Sequence, residues 1–341
     1  MIVKKTDKNN NENYEESIDL NVMAKGITSG DRRLLSKAIT LAESDLESHQ
    51  SQTQSLLALL EPNITAAKTI AITGPPGAGK STFIESMGQL AIDAGYRLAV
   101  LSVDPSSTFT AGSILGDKTR MSILASNEKV FIRPSPSRGT LGGVTDRSWE
   151  VKRLCEAAGY NLIFIETVGV GQSEAQVSHL VDMMTVLVQP GSGDDIQGIK
   201  KGLNEYADFF VINKADGSQL PLAKESKSNV AAMIHMKPKE ERAGIALHSS
   251  QNKEMAVACW NAMLENYNKL LKNSLIATRR QNQNQYWFLQ KIKQSMMKWS
   301  SKRIENNDNY AALEKEIQSG SLNISDGVSQ FMKEFYTKYG K

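Results

Sequence analysis

Residues 74–82 read GPPGAGKST, with the apolar run TIAIT at 69–73 in front and FIESMGQLAIDAG at 83–95 behind. Gly74, Gly79, Lys80 and Ser81 complete the Walker A pattern, and the flanks predict the strand and the helix between which that pattern works. Glycines let backbone N–H groups curl around a phosphate without side-chain collision. The helix start adds unsatisfied donors and the positive end of its dipole. Both are needed together with a cation, because a diphosphate presents several negative oxygens at once. Gly74, Pro75, Gly77, Ala78, Gly79, Lys80, Ser81 and Thr82 are therefore the candidate nucleotide-binding positions. Lys80 is expected to reach the β and γ phosphates and Ser81 to ligate Mg2+. Thr82 either touches the α phosphate or serves as an ordinary first-turn residue.

Outward from this loop the chain keeps one rhythm. LAVLSV at 98–103, KVFIRP at 129–134, NLIFIET at 161–167, MMTVLVQP at 183–190 and DFFVINK at 208–214 alternate with amphipathic stretches of helical length, and a further strand is expected over 244–249. Parallel strands joined by crossover helices explain this alternation, which predicts an α/β core of the P-loop NTPase kind with a mostly parallel sheet over residues 61–265. Ligands of such sheets gather at the carboxyl ends of the strands. Asp104, in SVDPSS, falls at one such end and is either a metal ligand, direct or through water, or a turn residue beside Pro105. Glu166, at the end of NLIFIET, is a candidate to hold a catalytic water or a magnesium-bound water. Gly169 just beyond it can bring a backbone N–H to the terminal phosphate.

The base is set by NKAD at 213–216, directly after DFFVI. Asp216 can accept two hydrogen bonds from the N1–H and exocyclic amine of guanine, a donor pair that adenine lacks on that edge. Lys214 can lay its stem across the base and Asn213 can brace the loop, so the nucleotide expected is GTP or GDP. Ser249 or Ser250 can add base contacts. Two Gly-rich polar segments leave the same sheet edge: RGTLGGVTD, with Arg138 and Asp146, and QPGSGDDIQGIKKG, with Asp194, Asp195, Gln197 and Lys200. They read as solvated loops or as segments that rearrange around nucleotide or partner.

The flanks are different in kind. Residues 1–17 are rich in Asn, Lys and Glu and read as a disordered leader, and residues 18–60 carry apolar side chains at helical spacing. Residues 266–341 are strand-poor, with Leu270, Leu271, Trp287, Phe288, Ile292 and Met296 among Lys, Gln and Asn, which predicts a helical arm that folds back on the core or pairs with a second copy. Over 341 residues, 40 Lys and Arg against 37 Asp and Glu leave a net charge of +3, so no global field argues for nucleic acid. Neither an apolar leader nor a membrane-length apolar run occurs, and the cytoplasm is the expected address. Two distant cysteines, Cys155 and Cys259, and the scattered His49, His179, His235 and His248 give no metal-site spacing.

Taken in order, GPPGAGKST, SVDPSS, SRGTLGG, FIETVGVGQSE, QPGSGDDIQGIK and NKADG make the chain resemble the MeaB and ArgK family of P-loop GTPases, relatives of the human methylmalonic aciduria type A protein, over residues 20–300. The resemblance implies a G-protein chaperone of an adenosylcobalamin-dependent acyl-CoA mutase, especially methylmalonyl-CoA mutase, gating cofactor loading and protecting or reactivating the mutase. The adenosylcobalamin is then expected on the partner only. The resemblance also implies phosphate and magnesium roles for Lys80 and Ser81, metal-site and catalytic-loop carboxylates at Asp104 and Glu166, and guanine reading by Asp216. It makes SRGTLGGVTD a switch, gives Asp194, Asp195, Gln197 and Lys200 a part in sensing the mutase and organising hydrolysis, and makes 266–341 a homodimerisation arm. HSSQNKEM departs from the family's more regular Ser-Ala base loop. A metallochaperone GTPase, a kinase tied to basic amino acid transport and a noncatalytic nucleotide-dependent scaffold share the nucleotide core. The first would need a Cys or His cluster and the second an adenine site.

Overall fold

The strand β1 (Lys68–Thr73) lies at the centre of a seven-stranded sheet, with β4 (Leu162–Thr167) on one side and β5 (Met183–Val188) on the other. The remaining strands are β2 (Leu98–Val103), β3 (Val130–Pro134), β6 (Phe209–Ile212) and β7 (Gly244–Leu247). Their order is β3-β2-β4-β1-β5-β6-β7, and every pairing is parallel. This computed structural model describes residues 19–103, 121–134, 147–167, 173–191, 205–236, 238 and 242–339. The chain builds β2, β3 and β4 to one side of β1 and then crosses over to build β5, β6 and β7 on the other. That reversal opens a crevice at the carboxyl end of β1, where the GPPGAGKST loop leaves the sheet.

All residues of β2, β4, β5 and β6 are buried, as a sheet covered on both faces requires, and this is why those runs lack polar alternation. Helix α4 (Lys80–Asp93) lays Phe83, Ile84, Met87 and Ala91 into one core with Ile70, Ile72 and Phe164 of the sheet. Helix α9 (Lys253–Lys272) contributes Cys259, Trp260, Met263, Tyr267 and Leu270 to the same core. Between them in the chain lie α5 (Ser122–Ala125), α6 (Ser148–Ala157), α7 (Ser173–Ser178) and α8 (Leu220–His235). Burial pushes both cysteine thiols well above the ordinary thiol range, Cys259 to about 12, so they are inert packing groups.

The expected N-terminal helical extension consists of α1 (Leu20–Thr28), α2 (Arg32–Ala42) and α3 (Glu47–Leu60). Asp19 and Asp31 cap the first two by accepting from the backbone N–H groups of the first turn. The three helices bury Met23, Ile27, Leu35, Ile39, Leu56 and Leu60 and pack on α6, with Arg133 pairing Glu43 at 2.6 Å and Arg153 pairing Glu61 at 2.7 Å. The leader expected at 1–17 lies outside the described residues.

The chain forms two compact units, Met1–Arg280 and Gln281–Lys341. The arm boundary expected at 265/266 differs from this, because it would cut α9, whose Tyr267 and Leu270 belong to the sheet core. At the amino edge of the sheet, Arg280 pairs with fully buried Asp182 at 2.7 Å, and Arg279 pairs with Asp208 at 2.8 Å. The second unit holds most of α10 (Leu275–Glu305) with α11 (Asp308–Ser319) and α12 (Ile324–Tyr339). Within it Trp299 meets Phe335 and Tyr339 edge-on, and the Arg303 guanidinium lies 4.0 Å over Trp299. No helix among the described residues is long and apolar enough to cross a membrane.

Candidate functional site

Gly74 follows β1 with φ 152°, and a side chain there would bring its Cβ within 2.7 Å of the Leu187 carbonyl in β5. Gly79 precedes α4 with φ 81°, and a Cβ there would come within 2.8 Å of Asn213 Nδ2. Glycine is thus required at both ends of the loop, once by β5 and once by the base loop. The N-cap residue of α4 is Gly79, which has no side chain to cap the helix, so its first-turn N–H groups are left as donors among the described residues. Lys80 Nζ donates to Gly74 O at 2.8 Å and Pro75 O at 3.2 Å, so the ammonium is already seated within the loop. Burial pushes its pKa below the ordinary lysine range, against the pull of Glu166.

Ser81 Oγ donates to Glu166 Oε1 at 3.3 Å. Glu166 is the penultimate residue of buried β4, paired in register with Ile72 of β1, and the adjacent Thr167 hydroxyl bonds Thr73 at 2.8 Å. The parallel register therefore delivers a buried carboxylate to the first turn of α4. Thr82 is exposed on that turn. A hydroxyl and a carboxylate side by side offer hard oxygen donors beside a lysine, which is a donor set suited to Mg2+.

The NKAD segment meets the loop directly. Asn213 Nδ2 donates to Ala78 O at 2.7 Å, and Lys214 Nζ donates to Gly77 O at 2.8 Å, with Lys214 in the left-handed region at φ 56°. Asp216 accepts a short hydrogen bond from the Ser249 hydroxyl, while Ser249 Oγ accepts from Gln251 N at 3.1 Å. Asn213, Lys214, Asp216 and Ser249 are thereby brought to one edge with Gly74, Pro75, Gly77, Ala78, Gly79, Lys80, Ser81, Thr82 and Glu166. Asp104, Gly169 and Lys200 lie outside the described residues, as do Arg138, Asp146, Asp194, Asp195 and Gln197. Sequence reasoning gave His248 no part here, yet its ring touches both Asn213 and Ser86 of α4. Separations of 35 and 162 residues leave no local signal by which to find these contacts.

A family model described as methylmalonyl Co-A mutase-associated GTPase MeaB matches residues 35–305. The chain belongs to this MeaB family. A probable GTPase of Mycobacterium tuberculosis is 40% identical over 316 residues, covering 91% of this chain and 94% of the relative. GTPase ArgK of Escherichia coli is 38% identical, covering 92% and 96%. The mitochondrial methylmalonic aciduria type A homolog of Mus musculus is 37% identical, covering 92% and 79%. Among solved structures, a LAO/AO transport system kinase superposes with a TM-score of 0.68 at 31% identity, covering 93% of this chain and 97% of that one. The MeaB-family chain is a GTPase on a P-loop NTPase fold, converting GTP and water to GDP and phosphate.

Proposed function

We propose that this GTPase is a G-protein chaperone of an adenosylcobalamin-dependent acyl-CoA mutase, with methylmalonyl-CoA mutase as the partner, gating cofactor loading and protecting or reactivating that enzyme. The observation that carries this reading is the match of residues 35–305 to a family described as mutase-associated. A relative named for methylmalonic aciduria, 37% identical over 92% of the chain, supports it. The adenosylcobalamin is assigned to the mutase.

In this reading Lys80 exchanges the Gly74 and Pro75 carbonyls for β- and γ-phosphate oxygens, and the α4 N–H groups with the loop backbone cradle the diphosphate. Ser81 and Glu166, with Asp104, would hold Mg2+, which would supply neutralisation of phosphate charge. Glu166 orients the attacking water, Gly169 offers an N–H to the γ phosphate, and Asp194, Asp195, Gln197 and Lys200 complete the arrangement when the mutase docks. Asp216, held by Ser249, reads guanine, while Lys214 covers the base. Residues beyond Arg280 pair two copies into a homodimer.

The test is Mg2+-dependent hydrolysis of GTP and ATP with and without the mutase from the same cell. Turnover selective for GTP and accelerated by the mutase is expected. A mutase that neither binds nor changes turnover removes the chaperone role. The kinase named by the similar solved structure offers a second reading, and a preference for ATP with phosphate passed to a protein would favour it.

A further inference from the structure

His248 takes no part in the reading above, although its ring is fully buried beside the base loop. Its Nδ1 lies 2.7 Å from Asn213 Oδ1, and its Nε2 lies 3.1 Å from Ser86 Oγ on α4. The ring stands edge-on to Phe83 with centroids 4.9 Å apart. Its backbone is tied as well, donating to Ile212 O and accepting from Ala215 N, each at 2.9 Å. One residue thus joins the strand before NKAD, the NKAD loop itself and the helix that follows the P-loop.

The protons in this chain of bonds can be assigned. The Ala78 carbonyl only accepts, so Asn213 must turn its NH2 toward it and its Oδ1 toward His248. Oδ1 in turn only accepts, so the proton of the imidazole sits on Nδ1. The neutral ring then leaves Nε2 to accept from the Ser86 hydroxyl. Burial pushes the imidazole down to about 4, against the attraction of Asp216, so the ring is neutral at neutral pH. Every polar atom of the ring is used, and each bond has one direction.

We propose that His248 is a positioning residue for the guanine nucleotide: as the Nδ1–H tautomer it locks Asn213 onto the P-loop carbonyl of Ala78 and pins the base loop to α4. It fixes the separation between the base-reading carboxylate of Asp216 and the phosphate cradle. A nucleotide must satisfy both ends at once, so slack in this link weakens selectivity for guanine before it touches the hydrolytic groups. The inference rests on the assignment of residues 213–216 to guanine.

The experiment compares kcat and KM for GTP and ATP in the wild type, His248→Val, His248→Asn, Asn213→Ala and the His248→Val/Asn213→Ala double variant, with thermal unfolding alongside. Loss of the buried link in His248→Val is expected to raise KM for GTP about tenfold and narrow the GTP-to-ATP ratio similarly, with kcat little changed. His248→Asn, whose amide N–H can stand where Nδ1–H stood, restores most of the loss. The double variant is no worse than Asn213→Ala, because the two act through one link. Unchanged KM and selectivity in folded His248→Val, or additive losses in the double variant, overturn the proposal while leaving a GTP-preferring wild type intact. A wild type without preference for GTP removes the guanine assignment and this inference together. Should His248→Val not fold, nitrogen-15 spectra of the wild-type ring decide: Nδ1–H at neutral pH is expected, and Nε2–H overturns the proposal.

Discussion

In the proposed reading the carboxylate of Asp216 sets base selectivity, and its chemistry gives a prediction of sign as well as size. Guanine presents two adjacent donors, whereas an amide at position 216 would present one donor and one acceptor. Xanthine, with a carbonyl beside its N1–H, matches that amide. Asp216→Asn is therefore expected to weaken GTP by on the order of a hundredfold or more and to turn preference toward xanthosine triphosphate, read by competition binding. Equal loss of both nucleotides would show that the carboxylate supports the loop without reading the base. Lys80 makes a different prediction, since its ammonium already sits against the Gly74 and Pro75 carbonyls. Lys80→Ala is expected to lower kcat for GTP by about a hundredfold or more, because the role proposed for it aims this charge at the transferring phosphoryl group. The two motifs that hold these residues were legible in the sequence, because each is contiguous and follows a strand that also read clearly. His248 was not, since its partners are joined to it only by the fold.

At the level of elements, the strand runs were legible because burial on both faces leaves near-continuous apolar segments: LAVLSV is β2 as read, and KVFIRP is β3 less one residue. The end of the sheet domain was not legible, because the composition shift near residue 266 does not track where the contacts stop. Asp182 is one of the groups that tie Arg280, the last residue of the first unit, to the sheet. Its carboxylate accepts from Arg280 at 2.7 Å, from Thr69 N at 3.0 Å and from the Tyr267 hydroxyl at 2.9 Å. Burial pushes its pKa up, but the Arg280 bonds and charge with the Thr69 N–H outweigh this and hold it below the ordinary carboxylate value. A depressed folded pKa means stability that is fully present above the unfolded value of about 4 and is lost as pH falls through the lower folded value. Arg280→Ala leaves this charge buried with its main partner gone, which is expected to cost about 3–5 kcal/mol in denaturant unfolding at neutral pH. Stability of the variant should also fall less steeply than that of the wild type on acidification below about pH 4, since the advantage of the ionised form has been removed. A loss below about 1 kcal/mol would mean that Thr69 and Tyr267 suffice to hold the carboxylate.

For the molecule as a whole, the question is what covers the long helix beyond Arg280. Phe288, Ile292 and Met296 recur every fourth residue of α10 and are 71%, 39% and 65% exposed. Three large apolar side chains at that spacing form one stripe, and a contiguous exposed apolar stripe marks an interaction surface. The proposed homodimer supplies a second copy of the same stripe, whereas the positions named for GTP lie at the carboxyl edge of the sheet in the other unit. Oligomeric state and basal hydrolysis should therefore separate. The double variant Phe288→Glu/Met296→Glu is expected to sediment as a monomer at micromolar concentrations where the wild type sediments as a dimer, while its unstimulated GTP turnover stays at the wild-type level. A wild type that sediments as a monomer ends the homodimer assignment. A monomeric variant that also loses basal turnover would instead place part of the hydrolytic site at the interface between two copies.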